Sequence, residues 1–189
     1  MKENTDQQLV KQVLRGNDQA FNLLVLRYQH RVASLISRFV RDPQEIEDVS
    51  QETFIKAYRA LSLFRGDSAF YTWLYRIAVN TAKNHLVSRS RRPPLNDLEY
   101  EEAEAGDETS LLREVETPEG TLNAEKLQEA IHRAIDELPE ELKTAFTLRE
   151  FSGLSYEDIT EVMNCPVGTV RSRIFRAREA IDKKIRELI

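Results

Sequence analysis

Apolar residues in this chain return at steps of three and four rather than two, and only 6 Gly and 6 Pro punctuate its 189 residues. A chain written that way buries its apolar side chains by forming helices and packing them together. Phe21, Leu24, Val25, Tyr28, Val32, Leu35, Ile36 and Phe39 make one stripe along a helix that ends before Pro43. Leu127, Ile131, Ala134, Ile135 and Leu138 repeat the pattern up to Pro139, and Leu142, Ala145, Phe146 and Leu148 resume it. No segment alternates as a half-buried strand does, so the spacing predicts an all-α fold. Between these stretches, Arg91 to Gly120 holds Pro93, Pro94, Pro118 and a dense run of acids, with too little apolar surface to offset its ordering entropy. It reads as an acidic linker, residues 93–120, joining two small helical domains at 1–92 and 121–189. A short docked helix around Leu111, Leu112 and Val115 is the lesser alternative within it.

Composition removes several classes of function. No stretch reaches the roughly 18 apolar residues that span a bilayer, and Met1 to Leu14 mixes Lys2, Glu3, Asp6 and Lys11 without an apolar signal core. A cytoplasmic protein with no direct membrane insertion is expected. Cys165 has no second cysteine to pair with, and His30, His85 and His132 lie too far apart for a local metal motif. No metal or other cofactor is expected. No Ser/His/Asp set, Gly-lined carboxylate pair or phosphate loop is present, which argues against an enzyme.

A net charge of −5 suits a nucleic-acid binder poorly until it is divided along the chain. Residues 1–92 carry 15 Lys/Arg against 9 Asp/Glu, residues 93–120 carry 1 against 10, and residues 121–189 carry 11 against 13. Within the last block Arg171, Arg173, Arg176 and Arg178 fall in eight residues without an acid. Local charge, not the total, decides phosphate binding.

Three segments carry the functional signals. In DVSQETFIKAYRAL, steps of 100° put Val49, Phe54, Ala57, Tyr58, Ala60 and Leu61 on a buried half, and Asp48, Gln51, Glu52, Ile55 and Arg59 on the other. Pattern alone favours a solvated face with one stray isoleucine over a partner surface. In FRGDSAFYTWLYRIAVNTAKNHL, capped at Asp67 or Ser68, the inward stripe is Phe70, Leu74, Ile77 and Ala78, while Trp73, Arg76, Asn80 and Lys83 recur on another face. Tyr71 and Trp73 suit stacking on unpaired bases, Asn80 and Asn84 suit base edges, and Arg76, Lys83, Arg89, Arg91 and Arg92 suit phosphates. The competing reading, that Trp73 and Tyr75 only pack the domain, stands beside it.

The third segment is GLSYEDITEVMNCPVGTVRSRIFRAREAI. A turn at Gly153, a Ser155/Asp158 cap, a short helix, a turn at Asn164 and Cys165 and a new helix opened by Pro166 spell a helix-turn-helix. Val167, Val170, Ile174, Ala177 and Ile181 face inward at 3,4 spacing, leaving Arg171, Ser172, Phe175, Arg176 and Arg178 outward as a major-groove reading surface. Arg149, Tyr156 and Arg173 are placed for phosphates. An arginine-rich solvated helix is the weaker reading, because no acid is expected to offset the four arginines.

Taken in order, the three segments resemble the two-domain bacterial RNA polymerase sigma factors of the extracytoplasmic-function group in the sigma-70 family, and most resemble its envelope-stress sigma-E and alginate-control members. The likeness covers nearly all of the chain outside the linker. It implies that Asp48, Gln51, Glu52, Ile55 and Arg59 meet the β′ clamp helices of core RNA polymerase, which reverses the solvated-face reading. It implies that Phe70, Tyr71, Trp73, Arg76, Asn80, Lys83 and Asn84 capture the melted strand of the minus-ten promoter element. Arg171, Ser172, Phe175 and Arg176 would read the minus-thirty-five element as duplex, with the second domain resting on the β flap. Control by a membrane-anchored anti-sigma factor is implied as well. Trp73 is followed by Leu74 where housekeeping sigma factors carry two tryptophans, which implies weaker melting and a stricter promoter. The acidic run Asp97 to Glu119 is expected to thread the RNA path of polymerase. Two other classes compete: a repressor or activator that binds a DNA palindrome unaided, and an adaptor that binds only proteins.

Overall fold

The computed structural model describes residues 4–91 and 118–186, with side chains from 127 onward in the second stretch. Among the described residues there are helices and no strand. The helices are α1 (Asp6–Leu14), α2 (Asp18–Ile36), α3 (Pro43–Ala60), α4 (Phe70–Ser90), α5 (Pro118–Asp136), α6 (Glu140–Glu150), α7 (Tyr156–Met163) and α8 (Val167–Arg186), with a 3-10 turn at Leu61–Leu63. Leu111, Leu112, Val115 and most of the acidic run lie outside the described residues. The expected linker end at 120 is corrected: Pro118 opens α5, because proline costs nothing at a first helical turn whose N–H groups have no partner.

Local chemistry sets the helix starts. Asp42 caps α3 by accepting from the Glu45 N–H at 2.9 Å, and Pro43 follows in the first turn. Thr5 and Gln8 close a capping box on α1, an element that the mixed polar sequence of residues 1–14 did not announce. Ser155 and Asp158 close a second box on α7, and Asn164 ends that helix at φ 49°, the left-handed conformation asparagine tolerates. The expected cap of α4 at Asp67 or Ser68 is corrected to Ala69, which makes no side-chain cap bond. Alanine at Ser155 is expected to remove one donor's partner and cost about 1 kcal/mol. A thermal melt then shifts down by roughly 2–4 °C for a chain of this size, and an unchanged melting curve would show that the box is not formed.

The core is organised around α4, which packs against α2, α3 and α7. Phe70, Thr72, Trp73, Leu74, Tyr75, Ala78, Val79, Thr81 and Ala82 are all buried along it, so it is covered on nearly every side. Leu24, Val32, Ile36, Val49, Leu61 and Leu74 are fully buried, each removing apolar surface from water for roughly 1.5–3 kcal/mol. The same buried cluster runs on into Leu148, Leu154, Ile159, Val162, Val170 and Ile174 of the second half. A smaller cluster of Ala134, Ile135, Leu138, Ala177 and Ile181 closes α5 onto α8. Three inward assignments are corrected, the first being Leu127 of α5, which is 41% exposed. Tyr58 is 44% exposed, because its hydroxyl reaches out to donate to Asp18 at 2.7 Å, and Val167, in the first turn of α8, is 38% exposed.

Candidate nucleic-acid interface

The helix-turn-helix is built as its residues dictate. The N–H of Leu154 donates to Leu148 O and the guanidinium of Arg149 donates to Leu154 O at 2.7 Å, fixing the turn around Gly153 between α6 and α7. Buried Ile159 and Val162 seat α7, and buried Val170, Ile174, Ala177 and Ile181 seat α8. The opposite face of α8 then carries Arg171, Ser172, Phe175 and Arg176, all exposed, with Phe175 at 68%. An exposed phenylalanine between two arginines has no packing role in the free molecule. It offers apolar contact for a thymine methyl while the arginine forks suit guanine edges.

The other cations of this domain behave differently. Arg173 pairs with Glu141 and also donates to Cys165 Sγ at 3.3 Å, while Arg178 pairs with Glu150 at 2.5 Å. The expectation that no acid offsets the four arginines is therefore corrected: α6 supplies two. Arg149 is turned inward to Leu154 and stacks on Tyr156, 4.9 Å from the ring centroid, with Arg171 on the same ring at 5.8 Å. Arg149 and Arg173 thus brace the motif in this conformation, and of the four arginines between 171 and 178, Arg171 and Arg176 have no ion-pair partner among the described residues.

On α4 the structure separates residues that the helical wheel put together. Arg76, Asn80 and Asn84 are exposed in one row. Phe70 and Trp73 are not with them: both are buried and, with partly buried Phe64, form an aromatic knot with ring centroids 5.2–5.8 Å apart. This corrects the placement of Trp73 on an outward stripe, since a helix enclosed on nearly all sides has aromatics on several of its faces. Leu74, the residue after it, is fully buried too. Tyr71 and Lys83 are half-buried against the second domain, Tyr71 through Asp158 and Lys83 through Glu140 at 2.9 Å.

The outward arc of α3 is as the pattern has it. Asp48, Gln51, Glu52, Ile55 and Arg59 are all exposed, Ile55 by half. Gln51 donates to Glu47 at 3.2 Å and Lys56 pairs with Glu52 at 2.8 Å, both along the helix surface, and neither covers Ile55.

Contacts between the two halves are what sequence reasoning missed. Thr72 Oγ1 donates to Asp158 Oδ1 at 2.9 Å, and the Tyr71 hydroxyl donates to Asp158 Oδ2 at 3.2 Å. Burial pushes the Asp158 carboxyl up, but hydrogen bonds from Ser155, Thr72 and Tyr71 outweigh it and hold the group below the usual carboxylate range. Arg41 pairs with Asp136, and the Arg38 guanidinium lies 4.1 Å from the centroid of the Phe151 ring. A cleft of about 250 Å³ lies beside these contacts, lined by Asn80, Lys83, Glu141, Asn164, Cys165 and Arg173 among others. Nothing local in the sequence signals any of these pairs, apart from the acids in the first turns of α6 and α7. Among the described residues no group of His, Cys, Asp and Glu is arranged to hold a metal ion, and no helix is long and apolar enough to cross a membrane.

Residues 24–92 match the Sigma-70 region 2 family and residues 128–181 match Sigma-70, region 4. The chain is 62% identical over 187 residues to the RNA polymerase sigma-H factor of Pseudomonas aeruginosa, covering 99% of this chain and 97% of that protein. It is 60% identical over 185 residues to the ECF RNA polymerase sigma-E factor of Escherichia coli K12, covering 98% and 96%. Among solved structures, CnrH in complex with the cytosolic domain of CnrY has the same fold, with a TM-score of 0.68 at 24% identity over 95% of this chain and 96% of that one.

Proposed function

The chain belongs to the extracytoplasmic-function group of the sigma-70 family of RNA polymerase sigma factors, and from that premise we propose how its surfaces divide the work of starting transcription. The protein binds core RNA polymerase and directs it to a specific class of promoter. The polar arc of α3 around Ile55 meets the clamp helices of β′, with Asp48, Gln51 and Glu52 giving register and Ile55 giving apolar contact. The exposed row Arg76, Asn80 and Asn84, joined by Tyr71 and Lys83 when these are released, holds the melted minus-ten strand through stacking, amide bonding and charge. Trp73 and Phe70 support that row from inside the aromatic knot. The exposed face of α8 reads the minus-thirty-five duplex, while its domain rests on the β flap. The observation that carries the reading is the exposed set Arg171, Ser172, Phe175 and Arg176 on the second helix of a helix-turn-helix, in a chain that also leaves Ile55 uncovered on α3.

The protein supplies no bond-making step; phosphodiester formation is the polymerase's. Residues 1–92 and 121–189 act as the two functional domains. The site of action is the cytoplasm, and a membrane-anchored anti-sigma factor restrains the protein by covering its polymerase-binding surfaces. The genes served are those of envelope stress. Mixing the protein with sigma-free core polymerase tests the reading without knowledge of the promoter. Stoichiometric co-elution displaced by housekeeping sigma is expected. Absence of co-elution together with tight unaided binding to a DNA palindrome would establish the free-standing regulator instead.

A further inference from the structure

The α4–α7 boundary puts functional side chains to an unexpected use. Thr72 is 1% exposed, and its hydroxyl is spent on a carboxylate from the other half of the chain. Val79 and Val162 are buried in the same cluster, with Met163 against it. Around this centre stand Lys83 with Glu140, Arg41 with Asp136 and Arg38 with Phe151. Two of the residues assigned to the minus-ten strand, Tyr71 and Lys83, are therefore occupied by partners on the helix-turn-helix half.

The promoter geometry cannot be met in this state. Elements centred about 25 base pairs apart stand about 85 Å apart along a duplex that rises roughly 3.4 Å per pair. In the structure α4 and α7 touch. The 26 residues from 92 to 117 span up to roughly 90 Å when extended, so the tether permits separation. It also favours closure: a tether of this length keeps the two faces at an effective concentration on the order of 1 mM. An interface that would bind at only about 10 μM between separate molecules then stays closed by about a hundredfold. Losing one charge-assisted hydrogen bond is enough to make the open form measurable.

We propose that the unbound protein is held closed by a latch in which Asp158, the third residue of α7 and partner of Ser155 in its capping box, accepts from Thr72 and Tyr71 of α4, and that opening this latch frees Tyr71 and Lys83 for the promoter strand. Asp158 thus has two duties. Its bonds to Ser155 hold the helix start and its bonds to Thr72 and Tyr71 hold the domains. The strand and the helix-turn-helix compete for the same side chains, so core polymerase drives opening by holding the domains apart. This step rests on the sigma-factor reading, and the test separates the two.

Single-molecule energy transfer in the full-length chain measures the latch directly. Dyes are placed at S62C and E179C, both exposed in the native chain, in a C165S background. The free protein is expected to show one high-transfer population. Thr72→Val, nearly isosteric, raises the open-to-closed ratio about tenfold, and Asp158→Asn raises it at least as much. The double variant adds little beyond Asp158→Asn, because Thr72 acts through that carboxylate. Thermal melts separate this effect from loss of the α7 cap. A free protein already at low transfer, or a Thr72→Val distribution equal to the wild type, overturns the latch. So do fully additive effects of the two substitutions. Core polymerase with promoter DNA shifts the wild type to low transfer; initiation with transfer still high also overturns it. Failure to bind core polymerase overturns the function reading alone, while the variants still decide the latch.

Discussion

Alanine at both Arg171 and Arg176 is expected to cut initiation from a matched promoter by about 30-fold to 10⁴-fold while leaving core polymerase binding unchanged. Each arginine is exposed on α8 without an ion-pair partner among the described residues, so its guanidinium is available as a fork for guanine. A good bidentate contact discriminates by about 1–3 kcal/mol, so losing two removes about 2–6 kcal/mol at tenfold per 1.4 kcal/mol. Arg178→Ala is the internal comparison. Its guanidinium is held by Glu150, so it contributes charge more than readout, and its loss weakens binding by a smaller factor across all sequences. Lysine at 171 and 176 separates charge from geometry, since the ammonium keeps phosphate attraction and loses the fork. A promoter library should show relaxed preference at the two base positions. Equal losses across all library members would assign both residues to phosphates instead.

The helix-turn-helix was legible because its signals are local. Ser155 and Asp158 at three-residue spacing, Gly153, Asn164 and Pro166 each fix a turn or an end within a few residues, and Val170, Ile174, Ala177 and Ile181 share one face by period alone. The arc on α3 was legible as an exposed polar face for the same reason, while the role proposed for it comes from the resemblance of three segments together. Trp73 was not legible. A helical wheel puts Trp73 near the exposed row of Arg76, Asn80 and Asn84, but Phe64 and Phe70 cover the start of α4, so basic neighbours at 3,4 spacing gave no indication of its burial. Neither could the sequence reveal which arginines on α8 are free. Glu141 lies 32 residues from Arg173 and Glu150 lies 28 residues from Arg178, beyond the reach of any local pattern. The Thr72–Asp158 bond, spanning 86 residues, is of this kind too: its parts look like a core threonine and a helix cap until the halves meet.

Replacing Asp48, Gln51 and Glu52 together by alanine is expected to weaken core polymerase binding by about 30-fold to 5,000-fold, the equivalent of about 2–5 kcal/mol for charged and amide contacts that become desolvated in an interface. The substitutions should leave the fold intact. All three side chains are exposed and alanine is the strongest helix former. The interactions they remove, Gln51 with Glu47 and Lys56 with Glu52, lie on the helix surface and are worth a few tenths of a kcal/mol each. A melting temperature within about 2 °C of the wild type is therefore the control. Kinetics then distinguish two ways in which acids on this arc can act. Charges at a rim steer encounter, so their removal lowers the association rate and flattens its salt dependence. Charges buried beside Ile55 hold the complex, so their removal raises the dissociation rate instead. Because Ile55 is half exposed in the free protein and sits in the middle of the arc, contact here buries the acids around it, and the larger change is expected in dissociation. Ile55→Ala alone should move in the same direction by a smaller factor. Unchanged dissociation in both variants would place the polymerase contact elsewhere on the molecule.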